Sequence, residues 1–108
     1  MKRTDTTFRQ ITETEFCSWL STAAPGDALE YYRGFLCIDR GIAARTAPNS
    51  VIWRTAARAF DLAERGLVHL IQNKLDEGRF SYVAIARPHR HKHPIPFSIL
   101  MQEKEIRK

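Results

Sequence analysis

The sequence predicts an α+β fold in which helices pack on a small antiparallel sheet. Two stretches, residues 12–24 and 51–65, carry apolar side chains at the three- and four-residue steps of a helix face. A β-rich run lies between them at residues 28–39. Two further β-rich runs flank a loop at residues 75–79, whose glycine near the end is typical of a hairpin. The predicted order is therefore helix, strand, possible short helix, helix, strand and strand.

The composition is that of one globular domain. The chain has 108 residues, of which 44% are hydrophobic and 27% are charged. Seventeen Lys and Arg against twelve Asp and Glu give a net charge of +5, which favours phosphates or an acidic protein surface as partners. The amino-terminal residues lack the apolar run of a secretory signal, and no apolar run approaches the ~20 residues of a membrane span. We therefore expect a cytoplasmic protein that does not enter a membrane.

The first helix is predicted to begin at a capping box. Thr12 precedes Glu15 by the three residues that let each side chain cap the other's backbone. Apolar residues then recur at helical spacing until the Pro-Gly-Asp turn signal at residues 25–27, where the helix should stop. Cys17 and Cys37 lie in apolar patterns, so both are expected to be buried, reduced thiols.

Residues 28–39, ALEYYRGFLCID, predict a strand that is apolar on both faces. Gly34 interrupts the run and is expected to mark a bulge or a close backbone contact. The residues that follow allow either a short helix around 42–45 or a plain loop. If the short helix forms, the segment at 48–50 becomes the turn of a helix-turn-helix.

The second long helix is predicted to begin at Val51, capped by Asn49 or Ser50, and to end at Arg65 before Gly66. Its expected core face consists of Ile52, Ala56, Ala59, Phe60 and Ala63. Its expected exposed face consists of Arg54, Arg58, Asp61 and Arg65. Across the whole domain, the residues expected to be largely buried are Phe16, Trp19, Leu20, Phe35, Leu36, Ile52, Phe60, Leu70, Val83 and Ile85.

After residue 87 the chain becomes a basic, proline-bounded segment with alternating histidines, His89, His91 and His93. Imidazoles on one side of a strand can hold a transition metal. The cationic residues between them would repel a metal ion, however, and no carboxylate or cysteine is close in sequence. We therefore expect a basic tail, with no metal and no cofactor. Apolar residues at 97–101 are expected to dock as a short strand or helix.

Two non-enzymatic functions fit these residues, since the sequence has no Gly-rich phosphate loop, nucleophile elbow or HExxH spacing. The first is binding of double-stranded DNA, because basic residues on the second long helix and near the hairpin tip can meet phosphates and base edges. Under this hypothesis the groove contacts are Arg54 and Arg58, and the backbone contacts are Arg45, Arg65, Lys74 and Arg79.

The second is a protein-binding module, because acidic residues interrupt the basic helix face and occupy the hairpin tip. It rests on a cluster of residue types that are common at protein interfaces, namely Tyr31, Tyr32 and Arg33. A homodimer is compatible with either function.

The run FDLAERGLVHLIQNKLDEGRFSYVAIAR resembles the end of the recognition helix and the wing of winged helix-turn-helix proteins, including MarR-like regulators. The matching residues are Leu62, Gly66, Leu67 and Val68. The resemblance implies a winged-helix-like domain at residues 12–87, between a flexible amino terminus at 1–11 and a basic segment and tail at 88–108. It also implies DNA binding and transcription regulation. The stretch PGDALEYYRGFLCIDR looks like small proteins of proteobacteria and their prophages, which implies a regulator or an inhibitor of a host protein.

Overall fold

A computed structural model describes residues 8–36, 38–39, 41–42, 50–89 and 94–102. Within these ranges it contains three helices with defined bounds and a three-stranded antiparallel sheet, so the predicted α+β class is confirmed. The elements in chain order are α1 Glu13–Thr22, β1 Ala28–Gly34, α2 Val51–Glu64, β2 Val68–Asp76, β3 Arg79–Ala86 and α3 Phe97–Met101.

The sheet has the order β1-β3-β2, so β3 is central and β1 and β2 are its edges. β2 and β3 form the predicted hairpin, with Val68 opposite Ala86 and Asp76 opposite Arg79 at the turn. Each edge strand contains one irregularity, between Glu30 and Tyr32 in β1 and between Lys74 and Asp76 in β2. Side chains alternate between the two faces of β3, which places Tyr82, Ala84 and Ala86 on the buried face, against the helices.

The predicted capping box of α1 is confirmed. The Glu15 amide donates to Thr12 Oγ1 at 3.0 Å, and the Thr12 amide donates to Glu15 Oε1 at 2.8 Å. The helix ends at Thr22, and the Ala24 amide then donates to Asp27 Oδ2 at 2.9 Å. The turn signal in the sequence therefore ends α1 through the Asp27 carboxylate.

The predicted ends of α2 are also confirmed, and its predicted core face is confirmed in part. Ala56 and Ala59 are buried, and Ile52 and Ala63 pack against the core, but Phe60 does not lie in it. Ser50 Oγ accepts from the Trp53 amide at 3.3 Å, and Gly66 follows the helix with φ +81°. The buried residues are Thr55, Ala56, Arg58, Ala59 and Leu62. Phe60 was expected in the core, yet its side chain is 38% exposed. The helix is thus rotated about its axis so that Arg58 points inward.

The first strand is shorter than the predicted run at residues 28–39. It ends at Gly34, and residues 36, 38, 39, 41 and 42 are helical. Asp39 Oδ2 accepts from the Phe35 amide at 3.2 Å and from the Tyr32 hydroxyl at 2.5 Å, which fixes the change of direction. Phe35, expected to be buried, is 41% exposed. The rest of the possible helix at 42–45, the turn residues Pro48 and Asn49, and Cys37 lie outside the described residues.

The core extends past residue 87. Ile95 and Leu100 are fully buried in the same cluster as Phe16, Leu20 and Leu62. The segment is held to α1 by Ser21, whose hydroxyl donates to the Ile95 carbonyl at 2.7 Å and whose carbonyl accepts from the Ile95 amide at 2.9 Å. The apolar residues near 97–101 therefore dock as a short helix, one of the two predicted outcomes.

At the amino-terminal side, Ile11 packs against the core and its carbonyl accepts from Thr55 Oγ1 at 3.2 Å. Residues from Phe8 onward thus belong to the folded unit. In the described part of the chain, none of the helices has the length and apolar character needed to cross a membrane.

Candidate functional site

Arg58, expected as a DNA-groove contact, is directed into the protein. Its guanidinium donates to Glu13 Oε2 at 2.9 Å and to Asp61 Oδ2 at 3.1 Å. It also donates to the carbonyls that end α3, with distances of 3.1 to 3.3 Å to Leu100, Met101 and Gln102. Only 7% of the side chain is exposed. In this arrangement Arg58 holds α1, α2 and α3 together and is not presented to a ligand.

Arg65, which caps the carboxyl end of α2 two turns after Arg58, makes the same kind of contact. It donates to Asp61 Oδ2 at 2.9 Å and to the Ile99 carbonyl at 2.6 Å. Cations favour the carboxyl ends of helices because unpaired carbonyls there carry partial negative charge. The structure therefore assigns Arg58 and Arg65 together to anchoring the carboxyl-terminal segment.

The remaining predicted DNA contacts lie at the surface beside acidic residues. Arg54 is 59% exposed, with Nε 3.6 Å from Glu13 Oε1. At the hairpin tip, Lys74 Nζ lies 3.4 Å from Glu77 and Arg79 Nη2 lies 3.0 Å from Asp76. These three side chains are accessible. Arg54 shares the Glu13 carboxylate with Arg58, whereas Lys74 and Arg79 lie with their acidic neighbours at the hairpin tip. Arg45 lies outside the described residues.

The charge of the folded unit differs from that of the whole chain. Eight of the seventeen Lys and Arg, but nine of the twelve Asp and Glu, are in the described residues. The basic excess of the sequence therefore resides in the other segments, and the described surface has no net positive charge. The described residues alone therefore do not supply the excess of positive charge that favours binding of phosphates.

The three residues of the alternative interface occupy different environments. Tyr31 is 2% exposed and belongs to the core, where burial raises its pKa to about 12. Tyr32 is half-buried, and burial together with its hydrogen bond to Asp39 raises its pKa. Arg33 forms a two-pronged hydrogen bond with Glu30, which lowers the pKa of that carboxyl. Tyr31 is thus too deeply buried to form an exposed contact surface, and it lies behind such a surface.

The surface that Tyr31 supports is an apolar groove between α2 and β2. Its volume is about 430 Å³. Phe60 of α2 forms one wall and the edge strand β2 forms the other, while Tyr31 and Tyr82 close the back. Among the residues that the structure describes, the lining consists of Tyr31, Leu36, Phe60, Leu70, Ile71, Gln72 and Tyr82, and none of these carries a charge.

The back of the groove is rigid because its aromatic rings are packed on one another. Tyr82 lies 6.4 Å from Tyr31 and 6.2 Å from Phe80, between ring centroids, and Tyr31 lies 5.7 Å from Phe16. The Tyr82 hydroxyl accepts from the Leu36 amide at 3.0 Å, which fixes Leu36 at the groove. Phe80 in turn contacts the exposed ring of Phe35 at 5.6 Å. A continuous aromatic chain therefore links the core to the surface.

Metal binding and thiol chemistry find no support among the described residues. No group of three or more potential metal ligands occurs in the described residues. His89 is half-buried, while His91 and His93 lie outside the described part. Cys17 is fully buried, as expected, and burial raises its pKa to about 11, which keeps the thiol protonated.

The groove was missed by the sequence interpretation because three of its lining residues, Leu36, Phe60 and Leu70, were assigned to the core. Phe60 and Leu36 lie on apolar patterns, and a pattern does not reveal which apolar residues stay open to solvent. The only available signal was Phe60 itself, which follows Ala59 directly. Adjacent helix residues point about 100° apart, so the two cannot both be at the centre of one buried face.

The fold and groove define a small α+β protein that presents an apolar groove at a sheet edge. Comparisons with protein-family models, with curated proteins and with solved structures give no match for this chain.

Proposed function

We propose that this protein is a protein-binding module whose contact surface is the apolar groove between α2 and β2. The observation that carries the proposal is the exposure of Phe60 at 38% beside a groove of about 430 Å³, whose described lining residues carry no charge. Binding pockets typically have volumes of about 300–1,000 Å³ and are lined mainly by apolar and aromatic side chains, as this groove is. Aromatic side chains on a rigid support are also the usual anchors of protein interfaces.

Neighbouring residues support this function. Phe35 is 41% exposed and Ile38 is 52% exposed, and Leu36 between them lines the groove. A partner that fills the groove would remove more apolar area from water by covering these side chains as well. Burial of apolar area contributes about 25 cal/mol per Å², so such additions strengthen binding.

The charge distribution supports a protein partner over DNA. The exposed cations Arg54, Lys74 and Arg79 each lie within ion-pair distance of an acidic side chain. A phosphate would have to compete with these carboxylates, and the carboxylates themselves would repel it. An apolar groove offers DNA no favourable contact, whereas it suits apolar side chains of a protein.

The test compares two variants with similar exposed area. Phe60→Ser removes the groove wall, and Phe97→Ser removes a side chain that is 42% exposed on α3 and does not line the groove. Tagged wild type and both variants are incubated with nuclease-treated bacterial lysate, and retained proteins are cross-linked and quantified. We expect specific proteins to be retained by wild type and by Phe97→Ser and lost with Phe60→Ser. Equal retention by all three variants would exclude the groove as the binding surface.

A second candidate is the DNA-binding function of a winged helix, which one observation favours. α2 leads directly into the β2–β3 hairpin, and the sheet order is β1-β3-β2. This is the arrangement expected for a recognition helix followed by a wing. Under this proposal Arg54 would contact a groove of the duplex, and Lys74 and Arg79 would contact backbone phosphates. A transcription regulator is the corresponding role.

Its test is a gel-shift titration on random and genomic double-stranded DNA at low salt. Binding should weaken steeply with salt, and Arg54→Ala should reduce the log–log salt slope by roughly one phosphate contact. Absence of a shift at micromolar protein would reject this candidate and leave the protein-binding proposal untouched.

A further inference from the structure

The outer edge of β2 carries main-chain groups that point away from the sheet. The Arg87 amide donates to the Leu67 carbonyl at 3.0 Å, so this pair faces inward across the hairpin. In an antiparallel ladder, inward-facing and outward-facing residues alternate. With Val68 opposite Ala86 and regular register up to Lys74, the amides and carbonyls of Leu70 and Gln72 therefore face outward.

This edge has no partner strand among the residues that the structure describes. Within the described part of the chain, β2 pairs only with β3. No backbone hydrogen bond joins the outward groups of Leu70 or Gln72 to another part of the described chain. A regular edge of this kind is a template for another strand.

The groove and the edge are parts of one surface. Leu70, Ile71 and Gln72 are consecutive, and all three line the groove. Consecutive side chains of a strand point to opposite faces of the sheet. Three consecutive residues can line the same groove only if one of them does so through its main chain or around the edge of the strand, so the groove borders the main chain of residues 70–72.

Among the residues that the structure describes, the usual protections of an edge strand are confined to the hairpin tip. The irregularity between Lys74 and Asp76 and the charged side chains at the tip would disrupt pairing there. Between Val68 and Gln72 the register is regular, and this stretch contains neither proline nor lysine. The unprotected stretch is thus the part of β2 beside the groove.

We propose that this edge binds an extended apolar segment of a partner protein, which adds as a fourth strand beside β2. Main-chain hydrogen bonds to Leu70 and Gln72 would hold the segment, and its alternate side chains would enter the groove toward Phe60. Strand addition next to a helix uses main-chain bonds for affinity and side-chain pockets for specificity. The proposal rests on the protein-binding function and names its binding mode. The described lining residues are mostly apolar or aromatic and uncharged, so the inserted side chains are expected to be apolar.

The probe is a set of synthetic peptides selected from a random library on the wild-type protein. Peptides are kept only if Phe60→Ser loses them, which makes the groove the binding site. Amide hydrogen exchange of the protein is then followed by NMR with and without peptide. We expect the Leu70 and Gln72 amides to become protected by roughly tenfold or more. The His69 and Ile71 amides, which face β3, serve as internal controls and should change much less.

The outcomes separate the binding mode from the function. A Phe60-dependent peptide that leaves the Leu70 and Gln72 amides unprotected overturns strand addition and indicates a helix or another conformer in the groove. Failure to select any Phe60-dependent peptide overturns both proposals. A protein that is dimeric by sedimentation, with these amides already protected, would show that a second copy occupies the edge, and would overturn the proposed partner.

A matched pair of variants tests the main-chain bond directly. Gln72→Pro removes an outward amide without removing a bond to β3, as edge strands tolerate. Gln72→Ala keeps the amide and removes only the side chain. We expect peptide affinity to fall about tenfold or more in Gln72→Pro, since one bond to the partner is lost, and to change about threefold or less in Gln72→Ala. A folded Gln72→Pro protein that binds like wild type overturns the proposal.

If Gln72→Pro does not fold, the main-chain bonds are tested from the peptide's side, by N-methylation of one peptide residue at a time. Since alternate amides of an added strand face β2, we expect binding to be lost at every second peptide position.

Discussion

Arg58 Nε in α2 donates a 2.9 Å hydrogen bond to Glu13 Oε2 in the first turn of α1. The same guanidinium reaches the carbonyls of Leu100, Met101 and Gln102 at the end of α3. One buried cation thereby joins three helices that are far apart in sequence. Removal of Arg58 would leave Glu13 with Arg54 and Asp61 with Arg65 as cationic partners, but three carbonyls at the end of α3 would lose a donor at the same time. Loss of a buried, hydrogen-bonded charge from such a network is costly.

We therefore expect Arg58→Met to lower the free energy of unfolding by about 3–5 kcal/mol. The matched control is Arg54→Met, because Arg54 lies on the same helix near the same Glu13 but is 59% exposed. The control should change stability by no more than about 0.5 kcal/mol. Urea denaturation followed by circular dichroism measures both, and similar losses in the two variants would contradict the assigned role of Arg58.

The rotation of α2 explains a second difference between expected and observed packing. Leu62 is fully buried, whereas Phe60 is 38% exposed at the groove. Large-to-small substitution costs most where the removed atoms leave a closed cavity. We expect Leu62→Ala to cost about 2–5 kcal/mol and Phe60→Ala to cost distinctly less. Thermal melts of both variants measure which substitution lowers stability more. A larger loss for Phe60→Ala would show that Phe60 is a core residue.

Local signals in the sequence predicted the ends of the elements well. Thr12, Ser50 and Gly66 act within a few residues of their own position, so capping and chain reversal follow from neighbouring residues. The hairpin was predictable for the same reason. The direction of the Arg58 side chain was not predictable, because its carbonyl partners lie more than 40 residues along the chain. The groove was not predictable for the same reason, because the rotation of α2 that turns Arg58 inward also exposes Phe60.

The role of Gly34 at the end of β1 was only partly predictable from the sequence. Gly34 was expected to mark a bulge or a close backbone contact. The irregularity of β1 lies instead between Glu30 and Tyr32, and Gly34 makes the close contact. Its φ is +147°, and a Cβ placed there would lie 2.8 Å from Asp39 Oδ2. The carboxylate that ends the strand thus needs a residue without a side chain at this position.

Gly34→Ala is accordingly expected to destabilise the protein by about 1–3 kcal/mol, through backbone strain and displacement of Asp39. Gly41→Ala is the control, because Gly41 is helical and a Cβ there would meet nothing within 4 Å. Alanine in a helix restricts the unfolded chain, so the control should be neutral or stabilising by up to about 1 kcal/mol. Denaturant midpoints of the two variants should move in opposite directions or differ clearly; equal destabilisation would refute the close contact at Gly34.

The last prediction concerns the thiol of Cys17. Burial raises its pKa from 9.0 to about 11, with Arg58 partly opposing the shift. The folded protein thus binds the thiol proton more tightly than the unfolded chain does. As the pH rises above 9, the unfolded state loses this proton while the folded state retains it, so the free energy of unfolding should fall between pH 9 and about 11. One group contributes a slope of at most about 1.4 kcal/mol per pH unit.

Urea denaturation at several pH values between 9 and 10 measures this slope before the tyrosines titrate strongly. The comparison uses a Cys37→Ser background, so that Cys17 is the only thiol, and Cys17→Ala in the same background as the control. The control is expected to be less stable overall but to have a shallower pH dependence. In the parent variant, Ellman's reagent at pH 8 should react slowly under native conditions and rapidly in urea. An identical pH slope with and without Cys17, or rapid native labelling, would show that the thiol is not buried in its protonated form.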